Sequence, residues 1–196
     1  VTIPGESRSY SDIDWFKSLA VNLSGIFFLC RAIGSEMIRH RVKGSIINFT
    51  SIGAEQGFAN NPGYAATKGA IKQLSKALAV EWGPAGIRVN AIAPGPFPTE
   101  GMTARLSPKG DMKKDSDNTI PMGRMGEMNE LQNLATFLMS DGCDYLTGQT
   151  IAIDGAQYLS GGGTFSQLSK MSDDDWAEIR KMIKKTNDAD KQNRST

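Results

Sequence analysis

The chain has 196 residues, with 22 lysines and arginines against 21 aspartates and glutamates and a formal net charge of +1. A chain of this length suits one domain or a large part of one. Because its charges are balanced, the composition gives no electrostatic reason to expect binding to nucleic acid. Cys30 and Cys143 stand alone, without a CxxC pair or a nearby histidine, so neither a disulfide framework nor a metal site is predicted.

The opening segment, VTIPGESRSYSDIDW, has no initiator methionine and no charged-then-apolar leader. It is typical of a chain entered partway through, so any targeting segment would lie upstream. The longest mainly apolar stretch, residues 19–33, contains Asn22, Ser24 and Arg31 and is predicted not to span a bilayer. Together with the unpaired cysteines, this predicts a soluble protein in a reducing compartment, the cytoplasm, with no membrane partner.

The first predicted element is a long helix. Ser11 and Asp14 form a capping box at its start, and Lys43-Gly44 ends it. Apolar residues recur inside it at spacings of three and four: Trp15, Leu19, Leu23, Ile26, Cys30, Ile33 and Met37, with Phe16, Ala20 and Phe27 widening the stripe. So broad an apolar face predicts burial against more than one neighbour.

The next elements alternate between strands and helices. Residues 45–51, SIINFTS, favour a buried parallel strand. Asn61 and Pro62 then predict the cap and first turn of a helix that reaches about Trp82, where Gly83-Pro84 stops it.

The alternation continues with a strand at 87–93, a helix at 130–140 and a strand at 149–154. Helices alternating with short apolar strands predict βαβ crossovers, so the fold class is α/β with a doubly wound parallel sheet, Rossmann-like. Residues 96–126 are long for a connection and predict a substrate lid. We therefore expect a partial domain over residues 1–157 and an extension over 158–196, which has its own capped amphipathic helix.

Tyr64 and Lys68 are predicted to share one face of the helix after Pro62, one turn apart. An ammonium about 5 Å from the phenol, at an effective dielectric of roughly 20, favours the phenolate by about 3 kcal/mol, or about two pKa units. Tyr64 then becomes a usable acid-base group for an alcohol or a developing alkoxide. A Tyr-x-x-x-Lys pair alone is also an ordinary exposed helical pair.

Two further polar residues sharpen that interpretation. Ser51 closes the strand SIINFTS at the carboxyl edge of the sheet, where open α/β proteins bind ligands. Its hydroxyl can bond the same substrate oxygen as Tyr64. Asn22 lies on the apolar face of the first helix, where an unpaired amide costs about 1–3 kcal/mol. Either a backbone group or water in the core satisfies this amide, or it holds a water for a proton relay.

Five motifs in order resemble the short-chain dehydrogenase/reductase family: VNLSG, INFTS, YAATK, RVNAIAPGPFPT and TGQTIAIDGA. The resemblance covers residues from about 11 to 157. It implies a catalytic tetrad of Asn22, Ser51, Tyr64 and Lys68, in which Lys68 also holds the nicotinamide ribose and Asn22 anchors a water.

The resemblance also implies that the segment after the strand at 87–93 binds NADP or NAD. Its matching residues are Pro94, Gly95, Phe97 and Thr99, beside Tyr64 and Lys68. Backbone groups of Phe97 are expected at the nicotinamide carboxamide, and Gly95 is expected to let the backbone approach the ring. The family's glycine-rich phosphate turn has no counterpart before residue 11, so we expect the first strands of the domain to be missing from this chain.

The lid and the tail resemble the 2,4-dienoyl-CoA reductase branch of the family, which implies an acyl-CoA or similar thioester and a place in fatty acid metabolism. The animal dienoyl reductases do not keep the tyrosine of this motif, whereas this chain keeps Tyr64. That favours carbonyl or alcohol chemistry on a 3-oxoacyl or similar substrate. The alternatives are a dienoyl- or enoyl-thioester reductase and, from another class, a non-catalytic cofactor-binding or scaffold protein. Family habit implies a homo-oligomer, a dimer or tetramer.

Overall fold

The computed structural model describes residues 1–99, 119–160, 168 and 170–194. The chain forms two compact units, Val1–Leu159 and Ser160–Thr196. Most of the predicted lid, residues 100–118, lies outside the described residues.

A three-stranded parallel sheet is the centre of the first unit. Its strands are β1 (Gly44–Phe49), β2 (Ile87–Pro94) and β3 (Thr150–Ile153), in the order β1-β2-β3. In register, Ile46 of β1 lies opposite Val89 of β2, and Ile92 of β2 lies opposite Ile151 of β3. β2 is buried along nearly its whole length, as expected for the middle strand of a covered parallel sheet. The predicted α/β class is confirmed.

The predicted first helix is one continuous helix with a wide turn inside it. α1 (Asp12–Leu19) runs into a π-helical turn (Ala20–Ser24) and then into α2 (Gly25–His40). Ser11 caps its start, since its Oγ accepts a bond from the Asp14 backbone N–H at 3.1 Å. The Gly25 N–H donates to the Ala20 carbonyl, one residue farther back than in an α-helix. Hydrophobic periodicity does not predict this turn, and such turns often occur at functional sites.

α3 (Pro62–Trp82) begins at the predicted residue but not with the predicted cap. Pro62 occupies the first turn, yet the Asn61 side chain makes no capping bond, and its buried Oδ1 has no partner among the described residues. Asn61 has φ −149° and ψ 54°, outside the extended conformation from which a capping side chain reaches the helix N–H groups. The expectation that Asn61 caps α3 is wrong for this reason.

α4 (Met128–Met139) is fastened to two strands at its carboxyl end. The Arg88 guanidinium donates to the Leu138 carbonyl at 2.9 Å and to the Ser140 carbonyl at 3.0 Å. The Ser45 hydroxyl, from β1, donates to the same Leu138 carbonyl at 3.0 Å. These bonds satisfy carbonyls that the end of a helix leaves unpaired.

The core lies where α2 and α3 pack against β2. Its buried residues are Cys30, Leu78, Ala79, Trp82, Ile87 and Val89. Gly34 of α2 lets the helix approach the indole of Trp82, because a Cβ at Gly34 would lie 2.6 Å from the ring.

Much of the long helix is exposed. By length and composition the helix from Asp12 to His40 is long and apolar enough to cross a membrane, with a window of mean hydropathy 1.4 that is only 17% buried. This helix is longer than the stretch 19–33, which the sequence predicts to be too short and too polar to cross a bilayer. Exposed apolar faces of this kind mark interaction surfaces of proteins as well as membrane sites.

After β3 comes a short helix, α5 (Gln157–Ser160). In the second unit, α6 (Asp173–Arg194) is capped by Ser172 and Asp175. The Asp175 carboxylate accepts bonds from the Ser172 N–H at 2.8 Å and hydroxyl at 2.7 Å, and these bonds lower the pKa of that carboxyl.

We predict that Gly34→Ala destabilises the chain. Overpacking against the buried Trp82 ring costs about 1–3 kcal/mol, which exceeds the gain of up to about 1 kcal/mol that alanine brings to a helix interior. Urea unfolding followed by tryptophan fluorescence measures the difference. Gly69→Ala in α3 is the matched control, since a Cβ there meets nothing within 4 Å. Equal unfolding midpoints for Gly34→Ala and the unchanged chain would contradict the packing argument.

Candidate active site

Ser51 lies at the carboxyl edge of the sheet, just past β1. Thr50 fastens the chain there, donating from its N–H and its hydroxyl to the Ile92 carbonyl at 2.8 and 3.0 Å. Ser51 is 7% exposed, and its Oγ accepts a bond from the Gly53 N–H at 3.2 Å, which caps the short 3₁₀ helix Ile52–Ala54. A hydroxyl has one donor and two acceptor positions, so Ser51 can still donate its proton to a substrate oxygen.

Tyr64 and Lys68 lie in the first turns of α3, and Lys68 connects this helix to β1. Lys68 Nζ lies 5.6 Å from the centroid of the Tyr64 ring and donates to the Phe49 carbonyl at 2.8 Å. Burial lowers the pKa of the Lys68 ammonium below its ordinary value of 10.5. The lysine thus joins the helix of Tyr64 to the strand that leads into Ser51.

Thr67 lies between these two residues and packs against the long helix. Thr67 is fully buried, donates from Oγ1 to the Tyr64 carbonyl at 2.8 Å and accepts from Asn22 Nδ2 at 3.4 Å. Its hydroxyl thus faces the long helix. Thr67 therefore links Asn22 to the helix of Tyr64, a role that only its place in the helical repeat could have indicated.

Asn22 is 7% exposed and lies in the π-helical turn. Its Nδ2 donates to the Val1 carbonyl at 2.6 Å, and its Oδ1 accepts from the Val1 nitrogen. Its Nδ2 also donates to Thr67 Oγ1 at 3.4 Å. The proton-relay role of Asn22 stays a prediction.

The predicted cofactor segment follows β2 at the same edge of the sheet. The Gly95 N–H donates to the Ile153 carbonyl at 3.0 Å, and a Cβ at Gly95 would lie 2.7 Å from Asp154 Cβ. A side chain at this position would clash with Asp154, so glycine is required for the contact. The approach of a cofactor ring to Gly95 stays a prediction. Phe97 is buried, with its ring against Gly126, while Thr99 is exposed.

A small pocket of about 70 Å³ adjoins this segment. It is lined by Phe97, Met122, Arg124, Gly126, Glu130, Ile153, Asp154 and Gly155. Arg124 and Glu130 form two parallel bonds at 2.9 and 2.7 Å across its rim, and the guanidinium lowers the pKa of Glu130 to about 2. Sequence analysis missed this pair, whose members are separated by a turn and the start of α4.

The candidate residues converge because parallel strands end at one edge of a sheet. Ser51 follows β1, Gly95 follows β2 and Asp154 follows β3. Lys68 brings Tyr64 to the same edge through its bond to Phe49. The arrangement offers a phenol, a serine hydroxyl and a partly desolvated ammonium, which suit a substrate oxygen that gains or loses a proton.

Comparison with known proteins identifies the family. A family model described as enoyl-(acyl carrier protein) reductase matches residues 3–156. The chain belongs to the short-chain dehydrogenase/reductase family. Among its relatives are galactitol 2-dehydrogenase (L-tagatose-forming) of Cereibacter sphaeroides, 40% identical over 148 residues, and 3-oxoacyl-(acyl-carrier-protein) reductase of Chlamydia trachomatis, 40% identical over 145 residues. Each alignment covers 74% of this chain and 57% of the relative, so the chain spans a little over half their length.

Solved structures of the family agree with the fold. A gluconate 5-dehydrogenase from Burkholderia cenocepacia, in complex with NADP and tartrate, superposes with a TM-score of 0.76 at 32% identity, over 81% of this chain and 62% of that one. A 4-hydroxyisoleucine dehydrogenase complexed with NADH has a TM-score of 0.76 at 27% identity, over 82% and 65%. Short-chain dehydrogenases/reductases use NAD or NADP, and the donors of Tyr64 and Lys68 suit the hydroxyls of a ribose.

We predict that the Lys68 amine becomes neutral at a lower pH than a free lysine side chain. Burial disfavours its charged form, so the midpoint of labelling against pH should fall below 10.5. Competitive acetylation over a pH series, read by mass spectrometry of the Lys68 peptide, measures this midpoint. The exposed Lys76 amine of the same helix is the internal reference. A Lys68 midpoint at or above 10.5 would contradict the desolvated site.

Proposed function

We propose that the complete protein is an NAD(P)-dependent oxidoreductase that transfers a hydride between the nicotinamide and a carbonyl or secondary alcohol. The observation that carries this proposal is the bond from Lys68 to the Phe49 carbonyl, which brings Tyr64 and the Ser51 segment to one edge of the sheet. Relatives named for ketone and alcohol chemistry, such as the galactitol and gluconate dehydrogenases, support it.

Each residue of the tetrad has a role that its surroundings support. Tyr64 exchanges the proton with the substrate oxygen, and the Lys68 ammonium lies 5.6 Å from the centroid of its ring. Ser51 donates a hydrogen bond to the same oxygen and so orients the carbonyl. Asn22, whose amide donates to Thr67 Oγ1, is proposed to anchor the water relay.

The residues proposed to hold the cofactor are Tyr64 and Lys68 at the ribose and the segment Pro94, Gly95, Phe97 and Thr99 at the nicotinamide. When bound, NAD(P) supplies or accepts the hydride. The buried Phe97 ring and the bond from Gly95 to Ile153 hold that segment rigidly at the end of β2. A rigid backbone can present its N–H and C=O groups to a carboxamide with little loss of entropy on binding.

For the substrate we propose an acyl thioester, a 3-oxoacyl-CoA or similar compound, in fatty acid metabolism. The likeness to 3-oxoacyl-(acyl-carrier-protein) reductases and the tail that resembles the dienoyl-CoA reductases support this class. The retained Tyr64 favours a carbonyl over a conjugated alkene. A 2,4-dienoyl-CoA reductase is the second candidate, on the strength of the tail.

We predict that Tyr64→Phe in the complete protein lowers turnover by about 10²–10⁴-fold, the usual contribution of a general acid-base group. Lys68 keeps its proposed bond to the ribose in this variant, so the dissociation constant of the cofactor should change far less than turnover. Steady-state rates and cofactor fluorescence titration measure the two quantities. Tyr145→Phe, at a fully exposed tyrosine, is the matched control and should keep full activity. Equal turnover in Tyr64→Phe would remove Tyr64 from the chemistry.

The same assay separates the candidate substrates. The complete protein is incubated with NADPH or NADH and a 3-oxoacyl-CoA, a 2,4-dienoyl-CoA or a keto sugar acid. Oxidation of the cofactor with the 3-oxoacyl-CoA supports the proposal. Turnover of the dienoyl-CoA alone favours the second candidate, and turnover of the keto sugar acid alone overturns the thioester class.

We further propose a cytoplasmic homo-oligomer, a dimer or tetramer, whose contact includes α2. Its outward residues Phe28 and Leu29 are 54% and 57% exposed, and the Arg31 guanidinium lies 5.2 Å from the Phe28 ring centroid. Aromatic residues and arginine are enriched in protein interfaces. A second copy of this chain would remove these exposed apolar side chains from water.

We predict that Phe28→Glu shifts the complete protein to a smaller assembly, because a carboxylate buried in an apolar contact is costly to desolvate. Light scattering after gel filtration measures the mass. Tyr145→Glu is the control, since it adds the same charge at an exposed aromatic residue away from the stripe. An unchanged mass for Phe28→Glu would place the contact elsewhere.

A further inference from the structure

A second lysine of α3 reaches the chain on the far side of Ser51. Lys72 Nζ and Glu55 Oε2 form an ion pair, with side chains only 28% and 17% exposed. Lys72 lies one helical turn after Lys68, and Glu55 follows the short helix Ile52–Ala54 that Ser51 caps. The pair is therefore a largely buried link between the face of α3 that carries the candidate site and the segment that carries Ser51.

Lys68 and Lys72 thus hold the Ser51 segment from both sides. Lys68 donates to the carbonyl of Phe49, just before Ser51. Lys72 bonds the carboxylate of Glu55, just after it. The two lysines are four residues apart and therefore lie on one face of α3. Their two contacts attach the Ser51 segment to the helix that carries Tyr64.

The two links differ in what else their lysines do. Under the proposed function, on which this inference rests, the Lys68 ammonium divides its donors between the Phe49 carbonyl and the nicotinamide ribose. Lys72 is paired with a carboxylate in a largely buried position. Breaking this pair would cost free energy, because each ion would be left as an uncompensated buried charge. We propose that Glu55 and Lys72 are a positioning pair, which keeps the Ser51 hydroxyl aligned with Tyr64 while Lys68 serves the cofactor.

The test uses the complete protein with Glu55→Gln, Lys72→Met and the double variant. Each single change should lower kcat by about 10-fold, within the loss that a misplaced reacting group can cause. The dissociation constant of the cofactor should stay within about 2-fold, because neither residue is proposed to touch it. The double variant should be no slower than the slower single variant, since both remove one link. Lys76→Met, at an exposed lysine one turn farther along α3, is the matched control and should leave kcat unchanged.

Amide hydrogen exchange gives a readout that needs no turnover. Residues 52–60 should exchange faster in both single variants, whereas β2 and the rest of α3 should exchange as before. Losses of kcat that multiply in the double variant would overturn the proposal. So would unchanged exchange at 52–60, or a fall in kcat matched by an equal loss of folded protein in a thermal melt. A complete protein without any NAD(P)-dependent turnover would instead overturn the proposed function, while the exchange result still decides whether the pair holds the segment.

Discussion

One side chain, Lys68, connects the helix of the proposed acid-base group to the strand that leads into the proposed oxyanion partner. Its ammonium donates to the Phe49 carbonyl at 2.8 Å while lying beside the Tyr64 ring. The bond satisfies a carbonyl at the end of β1 and holds α3 against this edge of the sheet. The same contact thus contributes to packing and, under the proposed function, to the chemistry.

This double use has an energetic consequence. Burial lowers the pKa of Lys68, which means that the fold disfavours the charged form that the proposed chemistry employs. The cost is limited because the ammonium keeps a hydrogen-bond acceptor and remains partly exposed.

The sequence predicted the parallel sheet and most of the helix bounds. Apolar periodicity indicates which face of an element is buried, and Gly-Pro pairs indicate where a helix ends. The Tyr64–Lys68 spacing likewise followed from the helical repeat. The π-helical turn at Asn22, the inward direction of Thr67 and the contact of Gly95 with Asp154 did not. Each depends on which elements meet in space, and the meeting partners are far apart in the chain.

The middle strand shows how distant residues control the site edge. Asn90 is fully buried; its Nδ2 donates to the Leu146 carbonyl at 2.8 Å, and its Oδ1 accepts from the Gln149 N–H at 3.1 Å. These bonds fix the chain that enters β3 and hence the place of Asp154 at its other end. Because Gly95 packs directly on Asp154, the position of the proposed cofactor segment depends on hydrogen bonds made at the opposite end of β3. Buried amides satisfied in this way specify one register of the strands, and a slip by one residue would turn every inward side chain outward.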